Sequence, residues 1–111
     1  MGYLQTYPEV NKLPTFTATT ARIQKYGIDG HFNTWHHERG GGDTQNRCLV
    51  YMTYLNDVEE GGETYFKYQD KKIKPEVGKT IIWPSDWTHT HKGVSPKSGF
   101  KYIATGWYVH T

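Results

Sequence analysis

Turn signals divide this chain into short pieces whose side chains alternate, and that pattern admits strands and little else. From Ala21 onward the pieces run Ala21 to Tyr26, His31 to Glu38, Arg47 to Asn56, Glu63 to Tyr68, Lys71 to Lys74, Lys79 to Trp83, Trp87 to Lys92 and Phe100 to Val109. In Ala21 to Tyr26 and Phe100 to Val109 the side chains alternate with period two, as on a half-buried strand. Gly27 to Gly30, Arg39 to Asn46, Asp57 to Gly62, Gln69-Asp70, Pro75 to Gly78 and Gly93 to Gly99 separate them, and 12 Gly and 5 Pro supply the backbone angles these turns require. Nine Tyr and four Trp add to the preference for strands. Arg47 to Asn56 is apolar enough to be a central strand. Strand after strand joined by short turns predicts an all-β sandwich or barrel with few or no helices. Pro8 and Pro14 exclude a helix near the start, so residues 1–20 are expected to be an arm or an edge strand, and 21–111 one small domain.

The net charge of +2 gives no reason to expect a nucleic-acid partner. Lys71, Lys72 and Lys74 read as a solvated strand face. The single cysteine, Cys48, leaves no internal disulfide and fits a reducing compartment; within an apolar run it reads as a small buried hydrophobe. No apolar run is long enough to span a membrane and no signal-peptide pattern opens the chain. A soluble, cytoplasmic protein is expected.

The chemistry gathers on His36-His37-Glu38. On a strand, His36 and Glu38 share a face while His37 points away. His31 and His37 read as surface or rim residues. A second stretch, His89-Thr90-His91, offers another imidazole, and by geometry either His89 or His91 can serve. Two histidines and one carboxylate with open positions are the ligand set of a non-haem Fe(II) oxygenase, because an iron that must also bind small molecules cannot be fully wrapped by protein. Alone, a histidine and a glutamate two apart are a weak signal. Lys101 adds to it. It follows His91 by ten residues, and the short loop between allows the two strands to pair antiparallel. Lys101, Ile103, Thr105 and Trp107 then share a face. If that face is interior, the lysine needs an anion; otherwise its head reaches water at a barrel mouth. Trp35, Tyr65 and Tyr68 are candidates for a groove or for ordinary packing. The glycine run at Gly40 to Gly42 lacks the strand-to-helix setting of a phosphate cradle.

These residues carry a resemblance. Tyr26 with its glycine turn, His36-x-Glu38, the run RCLVYMTYLNDVEEGGETYF from Arg47 to Phe66, the Pro75-x-x-Gly78 turn, and His91, Gly99, Lys101 and Trp107 together resemble the prolyl 4-hydroxylase-like 2-oxoglutarate/Fe(II) dioxygenases, including short phage-type members, over about residues 21–109. The resemblance implies a double-stranded β-helix, the jelly-roll of cupin-like proteins, with Fe(II) between its sheets. It implies His36, Glu38 and His91 as metal ligands, the ten-residue step to Lys101 selecting His91 over His89. It implies Lys101 and Tyr54 at the far carboxylate of 2-oxoglutarate, Tyr26 at the cosubstrate and substrate mouth, and Thr105 on the metal-side wall. The reaction implied converts 2-oxoglutarate and O₂ to succinate and CO₂ while a C–H bond, of a prolyl residue in a peptide or protein, becomes C–OH; ascorbate is an accompanying reagent. A phage-encoded copy would act in the host cytoplasm. Two departures stand out. The family usually has Asp where Glu38 stands, one methylene shorter. Its members usually carry helices before the first strand, so either the chain is trimmed or a second copy covers an exposed sheet face in a homodimer. The rival reading is a cupin-like module that binds a metal without oxidation, or serves assembly.

Overall fold

The computed structural model describes residues 16–28 and 34–110. Eight strands follow one another: β1 (Phe16–Ala18), β2 (Arg22–Tyr26), β3 (Arg47–Tyr54), β4 (Thr64–Phe66), β5 (Lys71–Ile73), β6 (Thr80–Pro84), β7 (His91–Gly93) and β8 (Lys101–His110). The helical elements among the described residues are single 3-10 turns at Gly42–Thr44 and Trp87–His89. The larger sheet runs β6-β3-β8, with β1 and β2 pairing one after the other along the far edge of β8. The smaller sheet runs β5-β4-β7. Every pairing is antiparallel, and the two sheets form a jelly-roll, as the all-β expectation required.

The register explains the core. β3 lies between β8 and β6, and pairs Val50 with Trp107 and Trp83, Met52 with Thr105 and Ile81, and Tyr54 with Ile103. Residues directly opposite one another share a face. The period of two therefore turns Val50, Met52, Tyr54, Trp83 and Ile103 inward together, where they close on Phe66 of the smaller sheet. On the other side of β8, Tyr26 stands opposite Lys101, Gln24 opposite Ile103, and Arg22 opposite Thr105. The outer face of the larger sheet presents Ile23 and Tyr102 to solvent.

Four local expectations are corrected. The segment predicted as a strand from His31 to Glu38 forms, within its described residues 34–38, only the isolated bridge His36↔His91; His31 lies outside the described residues. Trp87 to Lys92 is not one strand: a 3-10 turn holds Trp87–His89, and β7 begins at His91, so His89 and His91 do not share a strand face. The piece expected to end at Trp83 runs one residue further, with Pro84 as the last residue of β6. β7 and β8 do not pair. Val94 N donates to Glu63 O, Lys97 N to Glu60 O, and Gly61 bridges Pro96. The connection between β7 and β8 thus spends its backbone bonds on the linker before β4. It carries the chain from the smaller sheet to the larger one, so His91 and Lys101 face each other across the roll.

That linker depends on Gly61 and Gly62, both with positive φ, 75° and 76°. A Cβ at Gly61 would lie 2.3 Å from Ser95 O, a backbone atom that cannot step aside. Gly61→Ala is therefore expected to destabilise the fold by about 2–4 kcal/mol, combining left-handed backbone strain with overpacking. A urea midpoint indistinguishable from wild type would refute this.

Candidate functional site

Backbone pairing makes the histidine pair. His36 N donates to His91 O and His91 N to His36 O, both at 2.9 Å. This reciprocal bridge sets the two side chains abreast on one face, ring centroids 4.4 Å apart. Each Nδ1 then meets a backbone carbonyl two residues back, Thr34 O for His36 and His89 O for His91, both at 2.8 Å. A carbonyl can only accept, so each Nδ1 carries a hydrogen, and Nε2 is the atom each ring would offer a metal by giving up its own proton. His91 is buried against Trp83 and Phe66, with ring centroids 5.0 and 5.7 Å away, whereas His36 is exposed toward the mouth. His89 stands on the 3-10 turn and contributes its carbonyl rather than its ring. His37 is exposed.

Glu38 closes the triangle. Its Oε2 lies 3.0 Å from His36 Nε2 and 3.1 Å from His91 Nε2. The extra methylene relative to Asp is taken up by an anchor on the other oxygen: Trp107 Nε1 donates to Oε1 at 3.2 Å. Arg47 donates to the Glu38 carbonyl at 3.1 Å and lays its guanidinium 3.8 Å from the Trp107 ring centroid. The backbone beyond is fixed by Glu38 N and Arg39 N, both donating to Ser85 O, and by the Arg39–Asp86 ion pair. Burial alone would raise the Glu38 pKa, but the hydrogen bonds that the His36 and His91 rings donate through Nε2 when that nitrogen is protonated overcome it and hold the carboxyl well below the usual range; the same contact raises His36. One ligand atom from each of His36, Glu38 and His91 falls within 4.8 Å of the others. Metal–ligand bonds of about 2.1 Å at right angles place neighbouring donors about 3.0 Å apart, so both N···O separations suit a single divalent ion.

The triangle opens into a cavity of about 250 Å³ lined also by Tyr26, Lys101, Thr105, Thr64, Met52 and Trp83. Lys101 is 2% exposed, and its Nζ donates to Gly62 O at 3.1 Å. No carboxylate forms an ion pair with it among the described residues. Burial pushes its pKa down to about 8, against a smaller upward pull from Glu63. Tyr26 lies beneath it, ring centroid 5.3 Å from Nζ, its own pKa raised by burial. Thr105 faces the cavity with its hydroxyl bonded to Tyr51 O.

Of the residues the sequence singled out, Tyr26, His36, Glu38, His91, Lys101 and Thr105 all line this cavity. Tyr54 does not. It is fully buried, its hydroxyl 2.6 Å from Thr64 Oγ1 and donating to Ile73 O, and burial pushes its pKa up to about 12. Thr64 stands between Tyr54 and the cavity, and nothing in the sequence singled it out. Arg47 was likewise missed, and Trp107 was seen only through spacing; both act through an orientation that one-dimensional patterning does not encode. Trp35 and Tyr65 pack edge-on, 5.1 Å apart, on the outer face of the smaller sheet, and Tyr68 is exposed; none of the three lines the cavity.

A sequence profile of the 2OG-Fe(II) oxygenase superfamily matches residues 21–109. Prolyl 4-hydroxylase 13 of Arabidopsis thaliana is 29% identical over 106 residues, covering 76% of this chain and 38% of the plant protein. The crystal structure of a viral collagen prolyl hydroxylase from Paramecium Bursaria Chlorella virus-1, in a 2OG complex, superimposes with a TM-score of 0.78 at 23% identity over 99% of this chain and 68% of that one. A Trichoplax adhaerens prolyl hydroxylase, solved with a hypoxia inducible factor oxygen degradation domain peptide fragment, superimposes with a TM-score of 0.68 at 22% identity, covering 97% of this chain and 55% of that one. The chain spans less than two fifths of the length of the curated relatives it matches. With the profile covering most of its residues and its site set between the two sheets of a jelly-roll, the chain belongs to the 2OG-Fe(II) oxygenase superfamily, as a prolyl 4-hydroxylase-like member.

Proposed function

We propose that this chain is an Fe(II)- and 2-oxoglutarate-dependent dioxygenase that hydroxylates a C–H bond, with a prolyl residue of a peptide or protein as its substrate class. The observation that carries this reading is Lys101: a buried cation without an ion-pair partner among the described residues, in the same small cavity as His36, Glu38 and His91. A cation in such a place calls for an anion. A metal-binding cupin or an assembly module has no need of one there. The substrate class follows the relatives, which are prolyl hydroxylases by name, one of them solved with a peptide.

The residues divide the work. His36, Glu38 and His91 would hold the iron, their Nδ1 bonds to backbone carbonyls keeping both Nε2 atoms directed at it. When bound, iron and 2-oxoglutarate would allow O₂ to act as the oxidant, one oxygen atom converting C–H to C–OH and the other ending in succinate with release of CO₂. Lys101 would hold the far carboxylate of the cosubstrate, with Tyr26 beside it and Thr64, backed by Tyr54, on the adjoining wall. Met52, Ile103 and Trp83 keep the floor dry.

Incubation with Fe(II), 2-oxoglutarate, ascorbate and a library of proline-containing peptides tests the reading. Succinate is expected only when both iron and cosubstrate are present, together with peptides heavier by one oxygen. Succinate no higher than in a protein-free control would end it. Trp107→Phe, which keeps the ring but removes the donor to Glu38 Oε1, is expected to weaken Mn(II) binding about tenfold, the usual cost of losing a partner that orients a ligand. Calorimetry showing unchanged affinity would remove Trp107 from that role.

A further inference from the structure

The pairing of β8 with its first two partners is interrupted where the site opens. Ala18 stands opposite Tyr108 and Arg22 opposite Thr105, so Thr19, Thr20 and Ala21 face only Gly106 and Trp107. Thr19 holds the bulge in place by accepting from Trp107 N through its hydroxyl and donating its own N–H to Trp107 O. A bulge re-aims the residues that follow it. Here it opens a second hollow of about 520 Å³, lined by Thr19, Thr20, Ala21 and Asn46 among others. Arg22 and Trp107 line both this hollow and the metal cavity, and so mark the passage between them.

The passage is cationic. Arg22 is exposed, its guanidinium 6.0 Å from the Trp107 ring centroid, and it makes no ion pair among the described residues. Arg47 covers Trp107 more closely, but its Nη1 is engaged by Glu38. Among the described residues, Glu38 is the only carboxylate lining either space, and it is already shared among His36, His91 and Trp107. A chain entering the metal cavity along this groove passes Arg22, and the described residues of the walls offer that guanidinium no free carboxylate.

We propose that Arg22 pairs with an acidic side chain flanking the oxidised position, so that the substrate is an acidic peptide laid along the Thr19–Ala21 bulge. This rests on the oxygenase reading above and narrows its substrate. A charge-assisted hydrogen bond at a partly exposed rim favours the acidic partner by about tenfold.

The test uses acetylated, C-terminally amidated peptides with one central proline flanked by Glu, Gln or Lys, so that the side chain is the only carboxylate. Binding is measured on protein loaded with Mn(II) and 2-oxoglutarate, and kcat/KM with Fe(II). The Glu peptide is expected to bind about tenfold more tightly than the Gln peptide, with the Lys peptide weakest. Arg22→Gln should erase the difference between Glu and Gln, Arg22→Glu should invert the order, and Arg22→Lys should keep its sign. Equal affinity for the Glu and Lys peptides, no measurable binding of any, or a preference that survives Arg22→Glu would overturn the proposal. The two readings fail separately. Acid-selective binding without succinate formation sinks the oxygenase and leaves the groove standing; equal turnover of all three peptides does the reverse.

Discussion

Glu38→Gln and His91→Ala are each expected to reduce Mn(II) affinity at least a hundredfold, while His89→Ala should leave it within about threefold; ligands themselves cost more than the roughly 10- to 100-fold typical of their supporting partners. The two substitutions act differently. Glu38→Gln keeps the shape and the Trp107 contact but removes the charge that both imidazoles face. His91→Ala removes a ring held between Trp83 and Phe66, and also leaves a hole in the core. Glu38→Gln is therefore the cleaner test, and a melting curve of the apo variant separates lost fold from lost site. Glu38→Asp is informative in the other direction. Its carboxylate, drawn back by one methylene, cannot reach both imidazoles while keeping Trp107 on Oε1, so metal affinity should fall here even though Asp is the family's usual residue. Calorimetry at neutral pH decides each case, and Mn(II) affinity in Glu38→Gln within threefold of wild type would remove the carboxylate from the site.

The strands that were legible carry an unbroken alternation through a buried sheet. Arg47 to Tyr54 alternates inward Val50, Met52 and Tyr54 with outward neighbours, and it is central because both of its edges are paired. The face of β8 was legible for the same reason: period two puts Lys101 wherever Ile103 goes. The partner of β7 was not legible. A short loop between two strands reads as a hairpin, and only the tertiary bonds of Val94 and Lys97 to residues 60–63 send the chain across to the other sheet. The histidine-to-glutamate tripeptide shows the same limit. Its side chains share a face as alternation requires, yet a single backbone bridge to His91, rather than a full strand ladder, brings it to the metal site. Tyr54 does not line the cavity; its hydroxyl meets Thr64, which does, a contact between residues ten apart that no pattern marks.

Lys101→Met is expected to make the apo protein more stable while weakening 2-oxoglutarate binding a hundredfold or more, with Mn(II) affinity held within about threefold. Losing one partner of a buried charge pair costs about 2–5 kcal/mol in binding. The gain in stability has the same origin. Burial holds the ammonium pKa at about 8 instead of 10.5, so the folded state carries a desolvated charge at neutral pH. That difference corresponds to at most about 3–4 kcal/mol, of which a Met of similar length should recover about 1–3. The sign with pH follows. Between pH 8 and 10.5 the unfolded chain binds the proton and the folded one does not, so Lys101's penalty is present below pH 8 and is relieved as pH rises through that window. Apo wild type should therefore gain stability relative to Lys101→Met as pH climbs from 7.5 to 9.5, the gap between their urea midpoints narrowing. Cosubstrate binding moves the opposite way, because a dicarboxylate needs the charged amine: above about pH 8, 2-oxoglutarate affinity should fall by up to about tenfold per pH unit, and the fall should be absent from Lys101→Met. A wild-type affinity flat from pH 7 to 9, or a variant no more stable than wild type, would mean that Lys101 reaches water and needs no anion, and the strongest support for the cosubstrate pocket would be gone.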